Sequence, residues 1–303
     1  MKKIIKVGTR ESDLAVAQSK WVIAAIQSKF PDLEFELVPM KTTGDRMLDQ
    51  RLAQIGGKGL FIKELEAALI NKSIDMAVHS MKDMPVNLPQ ELFIAAVSKR
   101  EDPRDALVTA DGRTLEQLAE NAIIGTSSLR REVQLLQMRP GLQMKNLRGN
   151  VLTRLHKLLN NEFDGILLAM AGLKRLGLED KCVQCFAVTD IIPAVGQGAL
   201  GIETRKGEDV AYLHESVHDE NAALVVSAER AYLIKLNGSC GIPIGAHAVI
   251  TGGRMTIYGM LALEDKSVVY RDSVTGNKHD AVALGETLAE RIWERRKTSG
   301  GLW

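Results

Sequence analysis

The chain has 303 residues, 45% hydrophobic and 25% charged, with 39 basic side chains nearly balanced by 38 acidic ones. This length exceeds one typical core and predicts two or three domains, while the near-neutral balance excludes polyanion binding by bulk charge, so any basic site must be local. Three cysteines argue against a disulfide scaffold, and Met1 to Gly8 lacks the apolar run of a secretory signal, so a cytoplasmic protein is expected.

Ile4 to Val7 predicts a short strand running into the polar loop Gly8 to Asp13. A helix from about Leu14 to Phe30 follows, then a strand from Glu34 to Pro39. Strand, loop, helix and strand form the βαβ signature of a parallel sheet, whose ligands bind at the carboxyl ends of strands. Arg10 and Ser12 occupy such an end. Residues 41–58 are polar, and Gly56-Gly57-Lys58-Gly59 lacks the spacing of a phosphate-binding P-loop, so a mobile loop carrying the Lys58 cation is expected before a helix from Leu60 to Asn71. Ile74 to His79 predicts a buried strand ending in Ser80-Met81-Lys82-Asp83; His79 reads as a core histidine. Leu92 to Val97 is a further strand. The charge run Lys99 to Asp105 then reads as a linker at a domain boundary. Thr114 to Gln117 has the form of a capping box.

The strongest physical signal follows. Ala122 to Ile124 predicts a strand that leads through Gly125-Thr126-Ser127-Ser128 into a helix opening with Leu129-Arg130-Arg131. Backbone N–H groups at a helix start favour an anion, and two arginines in the first turn cost stability unless an anion is present. Between Gly125 and Arg154 there are six basic residues (Arg130, Arg131, Arg139, Lys145, Arg148, Arg154) against one acid, Glu132. Arginine predominates, which suits carboxylate or phosphate recognition.

Further strands are expected at Met144–Leu147 and Gly165–Ala169, with helices at Val151–Leu159 and around Lys174 and Arg175. Cys182-Val183-Gln184-Cys185 is one isolated CxxC, a weak metal or redox signal that reads as an ordinary, partly buried pair. No metal site is expected. The glycine-rich Pro193 to Ile202 suggests a second crossing between two α/β halves. From about 218 the pattern changes to a helix over 220–237, three alternating strands (246–250, 255–263, 268–274) and an amphipathic helix over 280–297. This predicts a small α+β domain with antiparallel hairpins. Cys240 lies in the tight turn Leu236-Asn237-Gly238-Ser239-Cys240-Gly241 entering that sheet, with Gly238 the expected left-handed cap.

From the residues alone, the ligand should be a polycarboxylate or polyphosphate. Asp83 could move protons, and Cys240 could be a nucleophile or a tether. Six segments occur in the order found in one family: His79-Ser80-Met81-Lys82-Asp83, Lys99 to Asp105, Gly125 to Arg131, Leu147-Arg148-Gly149-Asn150, Pro193 to Gly198 and Gly238-Ser239-Cys240. Together they resemble the hydroxymethylbilane synthase (porphobilinogen deaminase) family. The resemblance implies a transferase that joins four porphobilinogen molecules head to tail with loss of ammonia. It also implies a covalent dipyrromethane cofactor, held by a thioether at the position of Cys240, and a catalytic acid at Asp83. Lys82, Asp83, Thr126, Ser128, Arg130 and Arg131 match positions around the cofactor. Arg10, Ser12, Lys58, Ser127, Arg148, Arg154, Arg175 and Gln197 match or extend the substrate-binding set. Gln54 departs from the lysine often found there.

The implied fold is α/β: two doubly wound domains resembling type II periplasmic binding proteins (1–99 with 200–217, and 100–199) and a third α+β domain (218–303). A monomer acting on a small molecule, without nucleic acid or membrane partners, is expected. Replacing Arg148 by His or Arg131 by Ala should stall elongation more than it destabilises the fold. The alternatives are a non-catalytic two-lobed binding protein for a polycarboxylate ligand, a nucleic-acid binder using the arginine stripe, and a thiol enzyme pairing Cys240 with His247. The first needs neither Cys240 nor Asp83; the second lacks aromatics for stacking between 125 and 154.

Overall fold

A computed structural model describes residues 4–46, 61–237, 242–263 and 268–298. The first lobe opens with strand β1 (Ile4–Arg10), helix α1 (Asp13–Lys29) and strand β2 (Glu34–Met40). Short α2 (Thr43–Arg46) and α3 (Lys63–Ile70) precede β3 (Met76–Ser80), a 3-10 turn at Met81–Asp83, and β4 (Leu92–Val97). Ser12 sets the start of α1, its hydroxyl accepting the N–H of Ala15. Val22 and Ile26 of α1 pack on Val7 and Met76 of the sheet, forming one face of the core.

The chain then enters the second lobe through β5 (Asp105–Val108), followed by β6 (Ile123–Gly125), α4 (Leu129–Met138), β7 (Gln143–Lys145) and α5 (Val151–Leu159). It continues through β8 (Gly165–Ala169), α6 (Met170–Arg175) and β9 (Gln184–Cys185). It returns to the first lobe as β10 (Leu200–Arg205), followed by α7 (Ala211–Ser216). Sheet order is β2-β1-β3-β10-β4 in one lobe and β7-β6-β8-β5-β9 in the other. The first three strands of each are parallel, whereas β10 and β5 run antiparallel to both neighbours. Each crossing thus supplies the one reversed strand of the sheet it enters. Asp105, read from sequence as the end of a linker, is the first residue of β5. The charge run masked a strand of only four residues.

The crossings lie backbone against backbone. The Glu101 N–H donates to Gly198 O (3.2 Å) and the Ser98 N–H to Leu200 O (2.9 Å). Gly198 has φ +96°, and a Cβ there would stand 2.3 Å from Glu101 O, so only glycine fits.

The last part comprises α8 (Glu220–Lys235), an antiparallel sheet of β11 (Ile244–Thr251), β12 (Arg254–Ala262) and β13 (Val269–Asn277), and α9 (Ala281–Thr298). Tyr232, Leu288, Ile292, Ala246 and Ile257 form its core, and the Tyr232 hydroxyl donates to Met260 O (3.0 Å). The left-handed residue after α8 is Asn237, φ +48°; Gly238 lies outside the described residues.

Glu229, wholly buried on α8, joins this part to both crossings. It pairs with Arg100 (2.5 and 3.0 Å) and accepts the backbone N–H groups of Gly196 (2.7 Å) and Ala248 (2.8 Å). A buried ion pair is sound only when its remaining lone pairs are filled, and here they are. His247 lies 3.7 Å from the same carboxylate, buried, and burial brings its pKa down to about 4. It is a structural residue at neutral pH. His79 likewise holds Glu203 across the first sheet (3.0 Å), both buried.

Candidate active site

The candidate residues gather at the carboxyl ends of the parallel strands of both sheets, where such sheets bind ligands. Arg10 ends β1, and Lys82 and Asp83 follow β3. Thr126, Ser127 and Ser128 link β6 to α4; Arg148 follows β7; Arg154 lies one turn into α5.

The centre of the cluster is an acid that the sequence left unassigned. Asp105 is fully buried at the start of β5. Its Oδ1 accepts from Arg131 Nε (2.9 Å), Arg131 Nη2 (2.7 Å) and Gln197 Nε2 (3.0 Å), and its Oδ2 from Arg130 Nη1 (2.7 Å). Carbonyls of Ile192 and Leu167 take further donors from the two arginines, at 2.7 and 2.9 Å. Burial alone would raise the Asp105 pKa, but the two guanidinium groups overcome it and hold the carboxyl well below the usual range. The anion demanded by two arginines in a helix first turn is therefore internal. It stands 25 residues before Arg130, outside the window in which charge was counted.

That window divides in space. Arg139 turns away to the Leu115 and Leu118 carbonyls at the far end of α4, and Lys145 is exposed. Arg148 and Arg154 stay with the cluster. The half-buried Arg154 donates Nε to Gly149 O (2.8 Å). Burial, then the charges of Arg131 and Arg148, bring its pKa down to about 10. Burial and the Arg10 charge lower Arg148. From the other lobe, Lys82 Nζ reaches Gln197 Oε1 (3.5 Å), and burial pulls it down to about 8, with Asp83 opposing and Arg131 and Arg130 assisting. Asp83, half-buried, opposes the deprotonation of both Lys82 and Arg154, one from each lobe.

The other candidates have structural engagements. Arg10 pairs with Asp45 and lies over the Phe61 ring, 4.3 Å from its centroid. Ser12 caps α1. Arg175 donates to Gly198 O (2.6 Å), and burial lowers it to about 10. Thr126 Oγ1 accepts the Ser128 N–H (3.1 Å), while Ser128 makes no side-chain cap of its own at the start of α4. Arg131 is buried and donates twice to Asp105 Oδ1, so its replacement by Ala would cost stability as well, which corrects the expectation of an effect chiefly on elongation. Lys58 and Cys240 lie outside the described residues. The strand that Cys240 precedes does reach the site: a Cβ on Gly245 would meet Ile192 O and Pro193 O at 2.9 Å and Arg130 Cδ at 3.0 Å. Among the described residues no group of three or more His, Cys, Asp or Glu could hold a metal.

Lys82, Arg148 and Arg154 are held below their ordinary pKa chiefly by burial, and a carboxylate bound beside them would raise them again. One consequence concerns Lys82. Its folded pKa of about 8 lies below the unfolded value of about 10.4, so its charge costs stability at pH 7, and that cost fades as pH rises through 8 towards 10. Lys82→Met should therefore raise the thermal midpoint of ligand-free protein at pH 7, with the gain vanishing by about pH 10. Paired calorimetric scans at the two pH values check this; a midpoint lowered at pH 7 contradicts it.

A family model described as "Porphobilinogen deaminase, dipyromethane cofactor binding domain" matches residues 5–212, and "Porphobilinogen deaminase, C-terminal domain" matches 223–294. The porphobilinogen deaminase of Syntrophotalea carbinolica is 47% identical over 96% of this chain and 93% of its own length. That of Brevibacillus brevis is 46% identical over 95% and 93%. Among solved structures, the methionine binding protein MetQ aligns over 74% of this chain and 94% of its own, with 14% identity and a TM-score of 0.48.

Proposed function

Since the chain belongs to the porphobilinogen deaminase family, we propose that its cleft cations bind the acetate and propionate groups of pyrroles while Asp83 handles protons and developing charge. The activity is that of hydroxymethylbilane synthase. It is a transferase that condenses four porphobilinogen molecules head to tail, with loss of ammonia, into linear hydroxymethylbilane in tetrapyrrole biosynthesis, on a dipyrromethane primer.

The observation that carries the residue assignment is that Lys82 and Arg154, from two lobes, are both lowered by burial and both held charged by Asp83, with Arg148 acting on Arg154. Each porphobilinogen brings two carboxylates, so elongation supplies what this cleft lacks. Arg148, Arg154 and Ser127 are assigned to them. Arg130 and Arg131, steadied by Asp105, form a rigid cationic floor for the cofactor, with Lys82, Thr126 and Ser128 completing its set. Arg10, Ser12, Arg175, Gln197 and Lys58 complete the binding set. The cofactor's carboxylates fit this donor set in charge and in arginine geometry, and Cys240 is its thioether anchor. When bound, it supplies the electron-rich pyrrole carbon that primes the chain. Asp83 accepts hydrogen bonds from pyrrole N–H groups, delivers a proton as the amine leaves, and stabilises the cation left behind.

We assign 1–99 with 200–217 to domain 1, 100–199 to domain 2 and 218–303 to domain 3. Glu229 would hold the hinge between them, allowing lobe motion to admit a lengthening chain. No helix among the described residues is long and apolar enough to cross a membrane; a monomer in the cytoplasm, without a nucleic-acid partner, is the proposed working state.

Intact mass tests the tether. Wild-type protein should exceed its sequence mass by two linked pyrrole units after incubation with porphobilinogen, and a Cys240→Ser variant should not. Equal masses under those conditions would favour a non-catalytic polycarboxylate-binding protein.

A further inference from the structure

The CxxC segment is not used by the mechanism, yet the fold holds its two sulfurs together. Cys182 caps a 3-10 turn (Glu179–Lys181), and Cys185 sits on β9, the edge strand of the second sheet. The Sγ atoms are 3.5 Å apart. The intervening backbone is pinned to β5: Val183 N–H donates to Leu107 O (3.0 Å), Phe186 N–H to Asp105 O (3.0 Å), and Cys185 lies opposite Ala106. Both thiols are half-buried over the core formed by Leu168, Leu173 and Val108. The remaining gap to an S–S bond is about 1.5 Å.

We propose that Cys182 and Cys185 are a modification site, forming a reversible intramolecular disulfide by exchange with small-molecule disulfides of the glutathione class. Cys185 attacks as the thiolate, breaking the S–S bond of the small disulfide, forming a mixed disulfide and expelling one thiolate. Cys182 then loses its proton, attacks Cys185 Sγ, and expels the second. The protein pair is oxidised by two electrons, and the small disulfide is reduced to two thiols that take up the two protons. Burial, then the hydrogen bond and charge of Cys185, push the Cys182 thiol up to about 12. Once Cys185 is in the mixed disulfide, the last two causes disappear; burial and Asp102 still oppose the Cys182 thiolate, and the Arg104 charge favours it. The inference does not depend on the assignment of the cleft.

The experiment equilibrates holoenzyme in oxidised and reduced glutathione at stepped ratios, quenches it with acid, alkylates free thiols with N-ethylmaleimide and maps the peptide spanning 182–185 by mass. Expected is joint loss of both alkylation sites in one two-electron transition, with the peptide 2 Da lighter and free of glutathione, reversed by dithiothreitol. In Cys182→Ser, Cys185 should instead accumulate bound glutathione, because nothing resolves it. Tm and turnover of this variant under reducing buffer should match wild type, showing an intact fold. Retention of both alkylation sites in fully oxidised glutathione, or separate glutathione adducts on the wild-type cysteines, would overturn the proposal.

Discussion

Asp83→Asn is expected to lower turnover by two to three orders of magnitude or more while leaving the unfolding midpoint close to wild type. Asparagine keeps the size and one acceptor oxygen but cannot deliver a proton or carry negative charge. Loss of general acid–base function typically costs about 10²–10⁴-fold, and loss of a preorganised electrostatic partner a comparable factor. Stability should scarcely change because Asp83 sits half-buried on a 3-10 turn whose backbone is set by Met81, and Met84 behind it carries the packing. Removing the carboxylate lowers the pKa of Lys82 and Arg154 further, since Asp83 opposes their deprotonation, and the only stability cost expected at pH 7 is that small one. Steady-state kinetics with porphobilinogen, beside a urea titration, separates the cases. Turnover within tenfold of wild type would remove Asp83 from the chemistry; a collapsed midpoint would make it a structural residue.

Much of this architecture could be read from the chain because its strands are short, apolar and punctuated. Val151–Leu159, Gly165–Ala169 and Leu92–Val97 coincide with their expected bounds. β5 was illegible: it begins in a charge run, so local composition argues for a linker while long-range pairing makes a strand of it, whereas β10 opens at the extended end of a glycine-rich stretch. The site shows the same division. The residues of the arginine cluster were visible as a local charge excess, but not the partner of its first two members. Asp105 carries no local signature; only the antiparallel entry of β5 between β8 and β9 brings it beneath Arg130 and Arg131. Asp45 under Arg10 and Glu229 against Arg100 were hidden likewise, being 35 and 129 residues distant in sequence. Charge counted along a window finds cations; it does not say which are already neutralised.

Asp105→Asn measures that distinction. The substitution leaves an acceptor for one guanidinium but removes the charge that two buried arginines share. Replacing one partner of a buried, hydrogen-bonded ion pair costs about 3–5 kcal/mol, because the other is left uncompensated, and here two cations are stranded. The pH dependence gives the sharper reading. In the folded protein the Asp105 pKa is depressed, despite burial, by Arg130 and Arg131; in the unfolded chain an aspartate titrates near about 3.9. Its stabilisation is therefore complete above the unfolded value and is lost as pH falls below about 4 towards the lower folded pKa, where the unfolded chain takes up the proton first. Wild type and variant should differ most in urea midpoint at pH 7, and the gap should narrow steadily below about pH 4. A gap that stays constant down to pH 3 would assign the loss to packing and not to charge. Turnover of Asp105→Asn should fall as well, since Arg130 and Arg131 would lose the contact that fixes them under the cofactor. That fall should be partly reversed by pre-loading with cofactor, whose carboxylates offer the stranded guanidinium groups a second anion.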